Sequence, residues 1–250
     1  MLFLSEAFTR PAMMHALGAV GFHQSYTYFT WRVEKGEIED YLVEVSSESD
    51  HLMRPNFFVN TPDILHASLQ YGGPAAFKIR ATLAAMGSPS WGVYAGYELF
   101  EHVAVRPGSE EYLDSEKYQL RPRDWEAAER EGRTLAPYLT LLNEIRRAHP
   151  ALQLLRNLKV HWSDDDHTLV FTKQADSASG RDTVIVVINL DPHGVRETMV
   201  HLDLDALGLP ESFVVHDEIT GADWTWGRDN YVRLDPGRET AHVLSVREVR

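Results

Sequence analysis

The first 150 residues alternate between short apolar runs and longer segments in which apolar positions recur at helical spacing. The short runs favour strands at residues 1–4, 22–31, 56–60 and 90–98. The longer segments favour helices at residues 11–20, 34–50 and 74–87. Polar residues follow the strands, and this alternation of strand and helix is typical of a parallel α/β sheet. A complete (β/α)8 barrel takes roughly 250 residues, so only about half a barrel fits here.

The pattern changes beyond a long polar loop at residues 101–123. Residues 124–148 favour one amphipathic helix, which Pro150 ends. Short apolar runs separated by turn-rich segments follow at residues 168–173, 183–190, 212–219, 230–234 and 240–246. Several strands at this spacing predict an antiparallel β-sandwich, and we therefore divide the chain into domains at residues 1–150 and 151–250.

Composition narrows the class of function. The chain has 250 residues and a formal net charge of −13, which repels phosphate backbones and disfavours nucleic-acid binding. It contains no cysteine, which excludes disulfides and suits a reducing cytoplasm. The sequence has no apolar run of about 18 residues that could span a membrane, and no tight metal-binding spacing such as HExxH. We therefore expect a globular, cytoplasmic protein with no metal or organic cofactor.

Two acidic residues stand at the tips of predicted strands. Glu6 follows the first apolar run, and Asp63 follows the run at residues 56–60. Paired carboxyl groups can serve glycoside chemistry, in which one protonates the leaving oxygen and the other stabilises an oxocarbenium-like state. Acidic side chains also favour helix N-termini, where they act only as caps. The residues alone leave both interpretations open.

The long loop contains Lys117 and Tyr118, which together can hold a phosphate by charge and hydrogen bond. A solvated surface loop is the other interpretation, because lysine is usually exposed. An aromatic cluster precedes the second helix, at Phe22, Tyr26, Tyr28, Phe29 and Trp31. Its rings could stack on sugars, although core packing explains them more simply. Trp224 and Trp226 are predicted to pack in the C-terminal sheet rather than to bind sugar.

Several long segments carry a resemblance to a known family. They are FLSEAFTRP (3–11), GFHQSYTYFTWR (21–32), RPNFFVNTPDILH (54–66), GYELFEHVAVRPGSEEYLDSEKYQLRPRDW (96–125) and DEITGADWTWGRDNYVRLDP (217–236). Together they resemble the α-1,4-glucan:maltose-1-phosphate maltosyltransferases, a bacterial branch of the α-amylase superfamily. The resemblance covers essentially the whole chain.

The resemblance implies a fold and a role for each candidate residue. The family fold is a (β/α)8 barrel followed by a β-sandwich, so this chain would hold barrel strands five to eight and then the sandwich. Glu6 in FLSEAFTRP would be the general acid/base, and Asp63 in FVNTPD would stabilise the transition state. Lys117 and Tyr118 in SEKY would lie near the donor phosphate. The implied reaction moves maltosyl units from α-maltose 1-phosphate to the non-reducing end of α-1,4-glucans, with retention of configuration.

The family's nucleophilic aspartate lies on barrel strand four, upstream of the general acid, and has no counterpart here. We therefore expect an enzyme fragment that is inactive alone and needs the missing N-terminal half as a partner. The family also suggests a homodimer. A non-catalytic glucan-binding or scaffolding remnant is an alternative, and another transferase or hydrolase of the superfamily is a further one. The SEKY motif argues against a plain amylase, which has no phosphate to hold.

Overall fold

A computed structural model describes residues 1–177 and 180–247 of the chain. Its N-terminal part contains a parallel sheet in which four strands lie in chain order. The strands are β1 (Leu4–Ser5), β2 (Gln24–Tyr26), β3 (Pro55–Phe58) and β4 (Trp91–Gly92). The helices between them are α1 (Pro11–Ala19), α2 (Lys35–Val43), α3 (Ala67–Tyr71) and α4 (Gly73–Gly87). The sheet is the expected parallel α/β arrangement, but it is open, and its origin as half a barrel stays a prediction.

The aromatic run at residues 22–31 is only partly a strand, which corrects the prediction. Beyond Tyr26 the chain turns into a 3-10 helix at Tyr28–Trp31. The hydroxyl of Thr27 accepts a hydrogen bond from the backbone N–H of Phe29 at 3.4 Å and so caps this helix. The aromatic residues from Tyr28 to Trp31 therefore belong to this helix and not to β2.

The single helix predicted at residues 124–148 is wrong, because the structure has two. They are α5 (Trp125–Arg130) and α6 (Ala136–Ala148). Gly132 lies between them with φ of 66°, a left-handed conformation that ends α5 and that glycine adopts without steric cost. The apolar face of α6 is as expected, since Leu139, Leu142 and Ile145 are buried.

The C-terminal part is one continuous antiparallel sheet of eight strands, in the order β10-β9-β12-β7-β6-β5-β8-β11. The strands are β5 (Leu158–Ser163), β6 (Thr168–Ser177), β7 (Gly180–Asn189), β8 (Arg196–His201), β9 (Phe213–Asp217), β10 (Asp223–Trp226), β11 (Asp229–Leu234) and β12 (Ala241–Arg247). A short helix, α7 (Leu204–Leu207), precedes β9. The two edge strands, β10 and β11, are consecutive in the chain, so the sheet curls and brings its two edges near each other without pairing them. The antiparallel prediction is therefore confirmed, but the sheet is a nearly closed barrel rather than two separate layers.

The two faces of this sheet lie in different cores. Alternate residues of a strand point to opposite faces, and Leu169 and Phe171 pack with the helices of the N-terminal part. Val170 and Ile185 instead face the interior of the curled sheet. One core is therefore continuous from the parallel sheet to the antiparallel one. The division at residue 150 stays a prediction.

Candidate active site

The C-terminal ends of parallel strands meet at one edge of a sheet, and this edge carries the two predicted acids. Glu6 directly follows β1, where the Ser5 hydroxyl donates a 2.8 Å hydrogen bond to Ser25 of β2. Asp63 follows β3 in a turn in which its backbone N–H donates to the Thr61 hydroxyl at 3.2 Å. Both acidic residues are exposed. The strand register thus places two carboxyl groups, distant in sequence, at the same end of the sheet.

The electrostatics of Glu6 suit a proton donor. Partial burial raises the pKa of Glu6, and the negative charge of Asp63 raises it further. Burial and then the charge of Glu6 raise the pKa of Tyr26 in turn. Because neighbouring negative charges disfavour ionisation, Glu6 holds its proton to a higher pH than an isolated carboxyl does. That is the property a general acid needs near neutral pH.

Aromatic rings line the same edge of the sheet. Tyr26 lies 4.0 Å from Phe58 between ring centroids, and Phe8 meets Trp31 edge-on at 5.0 Å. We call these four residues the aromatic wall. Phe29 belongs instead to the core, where it is 2% exposed. The predicted aromatic cluster is thus divided between packing and the candidate site.

Lys117 reaches this site from the long loop. Its ammonium group forms ion pairs with Asp63 and with Glu111, the second at 2.8 Å. Hydrogen bonds with Asp63 and then with Glu111 raise the pKa of Lys117, so the group stays charged. Tyr118 is 97% exposed and points into solvent. The structure therefore brings Glu6, Asp63 and Lys117 together, and leaves Tyr118 outside the group.

The loop at residues 101–123 is fixed to the strand tips by hydrogen bonds that link distant parts of the chain. The indole N–H of Trp31 donates to both carboxylate oxygens of Glu110 at 3.1 Å. The backbone N–H of Leu65 donates to the carbonyl of Glu110 at 2.5 Å. Glu110 thus ties the loop both to the aromatic wall and to the segment that follows Asp63.

Arg123 holds the far end of the same loop. It donates to Glu101 at 2.8 Å, to Glu116 at 3.1 Å and to the carbonyl of Ala95 at 3.2 Å. Glu116 in turn accepts a 2.8 Å hydrogen bond from Tyr94, just after β4. The sequence analysis did not single out these loop anchors. Their only signal was the density of acidic and basic residues in the loop.

The structure also has a cavity away from the acidic pair. A cavity of about 560 Å³ lies at the opposite end, beside Gln24, Pro55 and Ser90, so it is separate from the acidic pair. Within residues 1–177 and 180–247, no group of three or more His, Cys, Asp or Glu is placed to hold a metal ion. In the same described ranges, no helix is both long and apolar enough to cross a bilayer.

Sequence comparison identifies relatives over nearly the whole chain. Residues 160–246 match the family model described as "GLGE, C-terminal". The chain is 59% identical over 248 residues to α-1,4-glucan:maltose-1-phosphate maltosyltransferase 2 of Streptomyces coelicolor, covering 98% of this chain and 36% of that protein. It is 54% identical over 247 residues to the α-1,4-glucan:maltose-1-phosphate maltosyltransferase of Mycobacterium tuberculosis H37Rv, covering 98% of this chain and 35% of that protein. The chain thus spans about a third of the length of these curated relatives.

Solved structures share the fold at low sequence identity. The α-amylase of Geobacillus thermoleovorans, solved with acarbose, has a TM-score of 0.70 and 17% identity, covering 100% of this chain and 54% of that one. The trehalose-6-phosphate hydrolase of Bacillus licheniformis has a TM-score of 0.68 and 14% identity, with 99% and 56% covered. These likenesses concern the fold alone. The resemblance found in the sequence is confirmed: over nearly its whole length the chain is homologous to part of the α-1,4-glucan:maltose-1-phosphate maltosyltransferases.

Proposed function

We propose that this chain supplies the acid/base half of a retaining maltosyltransferase site in the cytoplasm. Its substrates are α-maltose 1-phosphate and α-1,4-glucan, the compounds in the names of its relatives. One observation carries the proposal. The parallel strands bring the carboxyl groups of Glu6 and Asp63 and the ammonium group of Lys117 to one edge of the sheet, where burial and then the charge of Asp63 raise the pKa of Glu6. An aromatic wall without such a carboxyl would serve binding alone.

The proposed reaction has two displacements. In the first, Glu6 protonates the bridging phosphate oxygen as the bond from C1 to that oxygen breaks, and a carboxylate nucleophile bonds to C1. In the second, the 4-hydroxyl of the glucan attacks C1, its proton passes to Glu6, and the nucleophile leaves. Asp63 stabilises the positive charge that develops on the sugar ring. Two inversions at C1 retain its configuration.

The reaction needs a second carboxyl about 5–5.5 Å from the acid. We assign this nucleophile to none of residues 1–250. A further segment or a partner chain supplies it in our proposal, so a polypeptide of these residues alone is inactive. The donor phosphate binds at Lys117, which stays charged between Asp63 and Glu111, and at the neighbouring Tyr118. As the resemblance suggests, the assembled enzyme is a homodimer.

The experiment is to complete the site. The part of the Streptomyces coelicolor relative that this chain does not match is produced as a fusion with residues 1–250. Phosphate release from α-maltose 1-phosphate is then measured with maltohexaose as acceptor. We expect turnover by the fusion, none by residues 1–250 alone, and near loss with Glu6→Gln, because an amide cannot exchange the catalytic proton. Turnover by the 250-residue polypeptide would overturn this assignment. A folded fusion that binds glucan without turnover would favour the non-catalytic alternative.

A further inference from the structure

The opening of the curled antiparallel sheet forms a slot between its two edge strands. Within residues 1–177 and 180–247, β10 and β11 lie at the two ends of the strand order, so each has one edge without a neighbouring strand. A cavity of about 430 Å³ lies there, with Trp224 and Thr225 on one side and Tyr231 and Arg233 on the other. His242 of β12 also lines it. This volume is within the range of ligand pockets, roughly 300–1,000 Å³.

Aromatic rings are accessible at this slot. Tyr231 is 60% exposed and Trp224 is 37% exposed, whereas Trp226 is buried. The packing predicted for both tryptophans therefore holds fully only for Trp226. The ring of His242 meets the indole of Trp224 edge-on, with centroids 5.1 Å apart, and so restrains its orientation. The held, partly exposed indole of Trp224 and the exposed ring of Tyr231 line the same cavity, and each offers a flat apolar surface to a ligand.

The charged side chains that line the slot are already neutralised by partners outside it. Arg233 pairs with Glu197 at 2.9 Å, and His242 lies 3.0 Å from Asp217. Asp229 contacts His201 at 2.6 Å. A phosphate or a carboxylate ligand would find no unpaired cation among these residues. The lining instead favours an uncharged ligand with both apolar faces and hydrogen-bonding groups.

The free edges of β10 and β11 also present backbone N–H and C=O groups to a ligand, and these donors and acceptors alternate along each strand. A hydroxyl group can donate and accept, so a polyol can match either kind of backbone group. A peptide strand could pair with these edges only in one fixed register. The side chains of Trp224 and Tyr231 would stand in the way of that pairing. The combination of rings, compensated charges and mixed backbone groups favours a sugar chain over a peptide.

We propose that this slot binds a segment of α-1,4-glucan by stacking on Trp224 and Tyr231. The identity of the sugar chain rests on the proposed function. The slot lies on the antiparallel sheet, whereas Glu6 lies on the parallel one, so a glucan bound in the slot leaves the acid free. A polymer held there raises the effective concentration of its ends for the transfer reaction. Short acceptors cannot reach from the slot to Glu6, so binding in the slot does not raise the effective concentration of their ends.

The test is to measure the affinity of the 250-residue chain for maltoheptaose, by isothermal titration calorimetry and by tryptophan fluorescence. Trp224→Ala and Tyr231→Ala should each weaken binding by about tenfold or more, as anchor residues do. Trp162→Ala is the matched control, because Trp162 is also exposed on the antiparallel sheet but does not line the slot. Thermal melting checks that each variant folds, and Tyr231→Ala removes only an exposed side chain.

Equal binding by the wild type and both slot variants would overturn the proposal, and so would the absence of maltoheptaose binding or preferential binding of an extended peptide. In the active fusion, Trp224→Ala should lower turnover on long glucan more than turnover on maltotetraose, and Trp162→Ala should leave both unchanged. A failure of the proposed function gives a different result from a failure of this inference, because the wild-type fusion would then be inactive. A glucan-binding slot in an inactive fusion would support this inference while removing the catalytic one.

Discussion

The ammonium group of Lys117 pairs with the carboxylate of Asp63, and this contact joins two motifs that are far apart in the sequence. Glu111 holds the same ammonium group from the other side at 2.8 Å. The long loop thus delivers a cation to the strand edge that carries Glu6. A phosphate donor arriving at this edge would exchange carboxylate partners of Lys117 for phosphate oxygens.

Removing this cation should weaken the use of the phosphorylated donor. In the active fusion we expect Lys117→Ala to raise the KM for α-maltose 1-phosphate by about 10- to 100-fold, the equivalent of one charge-assisted hydrogen bond. Steady-state kinetics measure this effect. Lys159→Ala is the control, since Lys159 pairs with Asp203 on the antiparallel sheet. An unchanged KM would mean that Lys117 only anchors the loop.

The charge of Asp63 should be visible in the titration of Glu6. Burial is the larger cause of the raised pKa of Glu6 and Asp63 the smaller one, so Asp63→Asn should lower that pKa without restoring the ordinary value. The pH above which Glu6 loses its proton then moves down. Carbon-13 NMR of labelled glutamate in the fusion follows this titration. An unchanged or higher pKa would show that the two carboxyl groups do not interact.

The sequence pattern identified long elements with a repeated apolar pattern, and it missed short elements and contacts between residues that are distant in the sequence. The strand β7 was found because it includes the continuous apolar run 184–188. The strand β10 was missed, since only four residues form it and its pairing with β9 defines it. In the site, the apolar runs predicted that Glu6 and Asp63 lie at strand ends, whereas their catalytic roles came only from the family resemblance and stay predictions. The hydrogen bond from Trp31 to Glu110 could not, because 79 residues separate the two.

A histidine at the end of α6 should make stability depend on pH. Burial alone would lower the pKa of His149, but hydrogen bonds with Asp182 at 2.8 Å and Glu218 at 3.4 Å outweigh it and raise the pKa to about 9. Because this exceeds the ordinary value of 6.5, protonated His149 stabilises the fold fully below pH 6.5 and loses this effect as pH rises through 9.

His149→Gln should therefore lower the free energy of unfolding at pH 6 by about 2 kcal/mol, and by much less at pH 10. Urea denaturation of wild type and variant at both pH values measures the difference. Burial lowers the pKa of Lys173 to about 7, and its titration is common to both proteins, so it cancels in the comparison. An equal loss at both pH values would indicate a packing role only.

The two sheets should differ in stability when residues 1–250 are studied as a single polypeptide. Met1, Leu2 and Phe3 are all at least half exposed, and β1 is an edge of the parallel sheet with few contacts to hold it. The antiparallel sheet has a core of its own inside the curl and a second face packed on α4 and α6. Local opening should therefore begin at β1 and spread through the parallel sheet before the antiparallel strands exchange.

Hydrogen exchange with limited proteolysis is the measurement for this prediction. We expect the lowest amide protection in β1 and β2, the highest in β6, β7 and β12, and a protease-resistant product that contains residues 151–250. Fusion to the unmatched part of the relative should raise protection in β1, because a new neighbouring strand would pair with its free edge. This increase in protection in the fusion is the control, because it shows that the free edge of β1 causes the low protection. Uniformly high protection across residues 1–150 in a monomer would contradict the prediction, since it would mean that the parallel sheet is stable with its edges free.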